Sequence, residues 1–206
     1  MTAELSNHPE EAENGAADIL GAAIHDFDEH GFTASSISQI ADRAGTSRSL
    51  ISYYFPTKTS LAVAVINLAY PAGVFMGRER EAQDPLEAID QAAEHLATSV
   101  AHGELARTAL RLHSSTELQE EDLPMRHSGW LARTTDYLEE ARCAKRIPAY
   151  VDVDAECRIM VAGIFGLIDL AATSNDYLLL VDDVLAFVRE RLAALIALPA
   201  GPPNTL

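Results

Sequence analysis

Basic residues are scarce in this chain. Fifteen lysines and arginines stand against 31 aspartates and glutamates, a formal charge of −16 over 206 residues. That balance excludes bulk packaging of nucleic acid and an anionic membrane partner, but not a local nucleic-acid site. Cysteine is nearly absent. Cys143 and Cys157 make neither a disulfide framework nor a zinc pattern, so a reducing, cytoplasmic setting is expected. Long hydrophobic runs are missing too. The most strongly apolar stretch, Ile159 to Ile168, is ten residues long, too short for a bilayer, and no membrane association is expected. The N-terminus has neither a basic nor an apolar leader segment, so no signal peptide is expected. No nucleophile–base pair and no glycine-rich phosphate loop can be picked out, which argues against an enzyme and against a cofactor. His95, His102, His113 and His127 form no i, i+4 pair, so no metal site is expected.

What the chain does have is apolar material in helical register. Hydrophobic residues make up 48% of it, ample for a core. No window alternates apolar and polar residues between hairpin turns, so the fold is predicted to be all-α. Ile19, Leu20, Ala23, Ile24 and Phe27 recur at helical spacing, with Gly31 as a stop. Ser36-Ile37-Ser38-Gln39 reads as a capping box. Further starts lie at Ser47, at Pro56-Thr57 and at Asp84-Pro85-Leu86-Glu87. Gly103 interrupts the pattern. Long helices are expected from Pro124 to about Arg146, from Asp152 onward, and from about Tyr177 to Leu198.

The resulting organisation is an acidic, mobile tail over 1–14, a small helical domain over 15–61, a larger one over 62–198, and a proline-rich end over 199–206. Residues 153–172 and 178–196 are apolar over most of their circumference, more than one stripe of an amphipathic helix requires. This predicts a homodimer, with Ala162, Phe165, Leu185 and Leu192 as contacts and Gly163 and Gly166 permitting close approach; the alternative reading is a pair of buried core helices.

Residues 36–61 carry the sharpest motif. Gly45 follows Ala41 by four positions and Ile51 follows Gly45 by six, the spacing of a helix-turn-helix. A small residue lets the second helix approach, glycine takes the turn, and an apolar residue locks the second helix onto the first. Between Ser36 and Leu61 the only acid is Asp42, against Arg43, Arg48 and Lys58. A locally cationic, hydroxyl-rich segment suits phosphate oxygens. Candidate DNA contacts are Ser36, Thr46, Ser47, Arg48, Ser49, Ser52, Tyr53, Tyr54 and Lys58. Lys58 is expected on phosphate and Arg48 near base edges.

The run Gly45-Thr46-Ser47-Arg48-Ser49-Leu50-Ile51-Ser52-Tyr53-Tyr54-Phe55-Pro56-Thr57-Lys58 resembles the TetR family of bacterial transcriptional regulators. Ile19-Leu20, Ala23, Phe27, Gly31-Phe32, Ser36, Ile37 and Ile40-Ala41 extend the resemblance over residues 15–66. The family usually has glycine where this chain has Ser49, an aromatic at Ser52 and histidine at Tyr54, so the operator does not carry over. The resemblance implies a three-helix DNA-binding domain, a helical domain that dimerises and binds ligand, and repression of operator DNA relieved by a small-molecule inducer.

A second similarity, to the γ-butyrolactone receptor branch, rests on Leu110-Arg111-Leu112, Leu123-Pro124, Trp130, Ala141-Arg142, Val151-Asp152 and Ala162 to Gly166. It implies a small, mostly apolar lactone, furan or butenolide as the signal and Trp130 as a pocket floor. Tyr70, His113, His127 and Phe165 fall where further lining residues are expected. By spacing alone, Trp130 reads equally as a core residue, His113 and His127 as structural histidines, and Asp169 as a ligand contact or a partner across a dimer. The competing function is a ligand- or partner-binding homologue that has largely lost DNA binding.

Overall fold

The computed structural model describes residues 8–199, with side chains from Gly15 onward. These residues form nine α-helices and no strand. They are α1 (His8–Ala34), α2 (Ile37–Arg43), α3 (Arg48–Tyr54), α4 (Lys58–Leu68), α5 (Pro85–His102), α6 (Glu104–His113), α7 (Ser128–Cys143), α8 (Val153–Ser174) and α9 (Leu180–Ala197). The all-α expectation holds. Residues 8–14, assigned from sequence to a tail, belong to α1; residues 1–7 and 200–206 lie outside the described residues. The helix expected from Pro124 is shorter, beginning only at Ser128.

Two compact units divide the chain. The first holds residues through Ala69 together with Glu104–Leu123; the second holds Tyr70–Gly103 and the chain from Pro124 on. The predicted boundary at residue 61 is therefore misplaced, because α4 and α6 both pack with the N-terminal helices. The reason is a set of contacts distant in sequence. Thr108 donates to the carbonyl of Ile24 at 3.1 Å, Arg107 pairs with Asp28 at 3.4 Å, and His25 meets Glu104 at 3.2 Å. Glu117, just beyond α6, accepts from Thr33 at 2.5 Å and from Ser115 at 2.6 Å. The Ser115 hydroxyl, then that of Thr33, hold its carboxyl down at about 2.

The N-terminal core is built by Ile19, Ala23, Phe27, Ile40, Ile51, Leu61, Val65 and Ile66, all essentially inaccessible to solvent. Helix α1 leaves helical geometry at Gly31, where the sequence places its stop. The carbonyls freed there are taken by Lys58. Its Nζ donates to the carbonyl of Phe32 at 2.7 Å and that of Ser35 at 2.9 Å, and lies 4.4 Å over the Phe32 ring.

In the second unit α5 packs on α9 and α7, and α8 lies against both α7 and α9. Asp84 caps α5, accepting from the amides of Leu86 and Glu87 at 2.9 and 3.1 Å. Helix α8 buries Val153, Cys157, Met160, Val161, Ile164, Phe165 and Ile168, one continuous inward stripe. By length and composition this helix is apolar enough to cross a bilayer, which the ten-residue stretch read from sequence understated. Three of the four expected dimer contacts, Phe165, Leu185 and Leu192, are buried inside their own unit; of the four only Ala162 is exposed. Gly163 does serve close approach, but within the chain. A Cβ there would lie 2.2 Å from the ring of Phe187 in α9. Apolar residues left outside on and beside these two helices include Ile159 and Leu170 on α8, Leu178 and Leu179 before α9, and Ile196.

Candidate functional site

The segment from α2 to α3 forms because local signals agree. The Ser36 hydroxyl accepts from the amide of Gln39 at 3.3 Å and donates to that side chain's oxygen at 2.6 Å. After α2 the amide of Thr46 closes on the carbonyl of Ala41 at 3.0 Å, with Gly45 at φ 63°. That left-handed conformation is free for glycine and strained for other residues. Ser47 then caps α3, accepting from the amide of Leu50 at 3.2 Å. Ile40, Ala41 and Ile51 are buried and fix α3 against α2.

The opposite face of α3 is open. Arg48, Ser49, Ser52 and Tyr53 are exposed, Tyr53 to 78%. Thr46 is half-buried beside them. The other candidates are committed to the fold. Ser36 and Ser47 cap helices. Tyr54 is half-buried, meets Tyr53 edge-on at 5.1 Å, and has its hydroxyl 3.8 Å from where a Cβ on Gly15 of α1 would stand. Lys58 is the clearest correction, since its ammonium already serves the carbonyls at the end of α1. Arg43, too, is paired, with Glu29 at 3.0 Å. Arg48 is thus the exposed cation on the α3 face.

The second constellation lies in the C-terminal unit. A run of aromatic contacts connects Tyr70 to Phe75 (5.3 Å between centroids), Phe75 to Phe165 (6.3 Å), and Phe165 to both Trp130 (6.3 Å) and His127 (4.4 Å). Four of the five residues expected to line a pocket therefore meet: Tyr70, His127, Trp130 and Phe165. His113 belongs to the N-terminal unit, half-buried at the end of α6. Trp130 is buried, and its indole N–H is spent on the carbonyl of Phe75 at 2.9 Å. Its polar handle is therefore already committed within the protein. Helix α7 approaches this loop closely through Gly129, whose Cβ would fall 2.4 Å from the carbonyl oxygen of Gly73.

Two members were not anticipated, Phe75 and Arg126. Arg126 reaches Asp169 at 2.5 Å and lies 5.7 Å over the Phe165 ring. Asp169, left open between two roles, is thus paired within its own chain. The Tyr70 hydroxyl and the Arg126 Nε are buried with no hydrogen-bond partner. Leaving such a group unsatisfied costs about 1–3 kcal/mol. Burial pushes the Tyr70 hydroxyl up to about 12, against a smaller lowering by Arg126. Bordering this cluster, a cleft of about 430 Å³ has His127, Leu131, Arg158, Ala162, Phe165 and Asp169 in its lining.

Residues 19–65 match the model of the bacterial regulatory proteins of the tetR family. The helix-turn-helix segment of the chain is a tetR-family domain. Over 48 residues it is 44% identical to the HTH-type transcriptional regulator RutR of Escherichia coli K12, covering 23% of each chain. It is 26% identical to the A-factor receptor protein of Streptomyces griseus over 149 residues, 72% of this chain and 52% of the receptor. The chain thus aligns with about a quarter to about half the length of these curated relatives. A solved γ-butyrolactone receptor, described as ArpA-like, shares the fold at 22% identity and a TM-score of 0.63, covering 89% of this chain and 85% of that one.

Proposed function

We propose that this tetR-family chain is a ligand-responsive, DNA-binding transcriptional repressor that works in the cytoplasm as a homodimer. The observation that carries the reading is the exposed face of α3. There Arg48, Ser49, Ser52 and Tyr53 project from a helix whose other face is locked to α2 by Ile51. A second helix of this kind is what enters a major groove, and its first residues reach base edges. Two copies place two such helices about one DNA turn, roughly 34 Å, apart. The exposed apolar residues Ile159, Ala162 and Leu170 on α8, with Ile196 on α9, are the surface offered to the second copy.

The signal is a small, mostly apolar molecule such as a γ-butyrolactone or a related furan or butenolide. The aromatic cluster of Tyr70, Phe75, Trp130 and Phe165, with few polar groups among them, supports this. So does the resemblance to lactone receptors. The ligand releases DNA by its differential affinity for the dimer form that does not fit the operator.

One observation favours the competing reading. Two of the three cations in the helix-turn-helix segment, Arg43 and Lys58, are engaged within the protein, which leaves little charge for counterion release. Selection from a pool of random duplexes by the purified protein decides between the two. A recovered palindrome supports the repressor; recovery of no enriched sequence at low salt supports a homologue without DNA activity.

A further inference from the structure

The ligand-binding reading leaves the chemistry of the ligand's polar end open, and two buried groups in the C-terminal unit narrow it. The Tyr70 hydroxyl is more than nine-tenths buried and has no partner. The Arg126 Nε is likewise buried and unpartnered, although the same guanidinium reaches Asp169 through Nη2 at 2.5 Å. Both residues stand at one aromatic cluster. Tyr70 packs at a tilt against Phe75, Phe75 likewise against Phe165, and Arg126 lies over Phe165. The nearby indole N–H of Trp130 is already committed to a backbone carbonyl. His127, Phe165 and Asp169 also line the cleft of about 430 Å³, so the cleft borders both the cluster and the carboxylate that Arg126 pairs with.

We propose that Tyr70 and Arg126 bind the head group of the ligand, and that Asp169 sets its class: an uncharged hydrogen-bond acceptor such as a lactone, ketone or ester carbonyl, with carboxylates rejected. This rests on the ligand-binding reading above. The argument is one of donors and charge. A guanidinium nitrogen only donates. Tyr70 is protonated at neutral pH, its hydroxyl pushed up to about 12, so it also donates. One carbonyl oxygen has two lone pairs and satisfies both. The positive charge of Arg126 is already matched by Asp169. A carboxylate entering here brings a second anion to a site with one cation, and pays its own desolvation. A neutral carbonyl meets neither cost.

Quenching of Trp130, the only tryptophan, reports binding directly. The probes are γ-nonalactone and nonanoate, which share carbon number and differ in head group. The wild-type protein should bind the lactone at least tenfold more tightly than nonanoate. Tyr70→Phe removes only an unpartnered hydroxyl, so its melting temperature should not fall, while lactone affinity drops about fivefold. Asp169→Asn frees the guanidinium charge and should tighten nonanoate at least tenfold with little effect on the lactone. Nonanoate binding as tightly as the lactone to the wild type overturns the proposal. So does absence of lactone quenching, or lactone affinity unchanged in Tyr70→Phe. Lactone that releases operator DNA equally from the wild type and from Tyr70→Phe overturns this inference and leaves the repressor reading standing. Failure of the random-pool selection strikes that reading alone.

Discussion

Lys58 separates two accounts of one charge. As a phosphate contact, its loss weakens DNA binding and leaves the fold alone. As the structure has it, the ammonium closes the end of α1, with carbonyl oxygens at 2.7 and 2.9 Å and the Phe32 ring at 4.4 Å. Lys58→Met keeps the apolar stem and removes the charge. Hydrogen bonds to a charged group contribute roughly 1.5–3 kcal/mol each, and an exposed cation–π contact about 0.5–1. Lys58 is half-buried, and water takes over part of the carbonyls' bonding in the variant, so the sum is discounted to about 2 kcal/mol. With a urea dependence of about 2 kcal/mol per molar, the unfolding midpoint of Lys58→Met should drop by about 1 M. Operator affinity measured below that midpoint, against salt, should keep the wild-type slope. An unchanged midpoint with a slope reduced by about one would refute the reasoning and return Lys58 to the phosphates.

Three further outcomes follow from the packing and the titrating groups. Gly163→Ala should destabilise the C-terminal unit by about 1–2 kcal/mol, since the new methyl meets the Phe187 ring; in a Phe187→Ala background the same change should be neutral or stabilising by up to about 1 kcal/mol, as helix propensity prevails, and equal effects in both backgrounds would sink the explanation. Tyr70 has a folded-state pKa raised from 10.0 to about 12 by burial, so the fold is undisturbed by it below 10 and loses stability as pH rises toward 12, where the unfolded chain ionises first. Ultraviolet titration of Tyr70→Phe against the wild type should show the missing tyrosine to be the late one. Glu117 is depressed from 4.5 to about 2, so its contribution is present above 4.5 and is lost as pH falls through 2. Carboxyl chemical shifts across that range check it, and a midpoint near 4.5 contradicts the Ser115 and Thr33 hydrogen bonds.

The parts of this protein legible in its sequence are those built by neighbours in the chain. Ser36, Gly45 and Ser47 act on amides and carbonyls within five residues, so their residue types already imply their geometry. The docking of α6 on α1 joins residues some 80 positions apart, and nothing at Thr108 or Arg107 announces Ile24 or Asp28. The same limit misassigned Lys58. Its charge is written in the sequence, but the carbonyls that hold it appear only once α1 breaks at Gly31. Gly163 was legible as a site of close approach, yet its partner turned out to be Phe187 of the same chain. In the ligand cluster, aromatic and imidazole residues drew notice by type. Arg126 did not, because its significance lies in a buried Nε rather than in its charge.

The most direct test of the central claim is the affinity of Arg48→Ala for the operator recovered from random DNA, measured by fluorescence anisotropy beside the wild type and beside a scrambled duplex. Arg48 is the exposed cation at the start of α3. A base contact of this kind contributes roughly 1–3 kcal/mol of discrimination. The account predicts at least about a tenfold loss on the operator, a much smaller loss on the scrambled duplex, and an unchanged unfolding midpoint. Equal affinity of variant and wild type for the operator, with the fold intact, would show that α3 is not the helix that reads DNA.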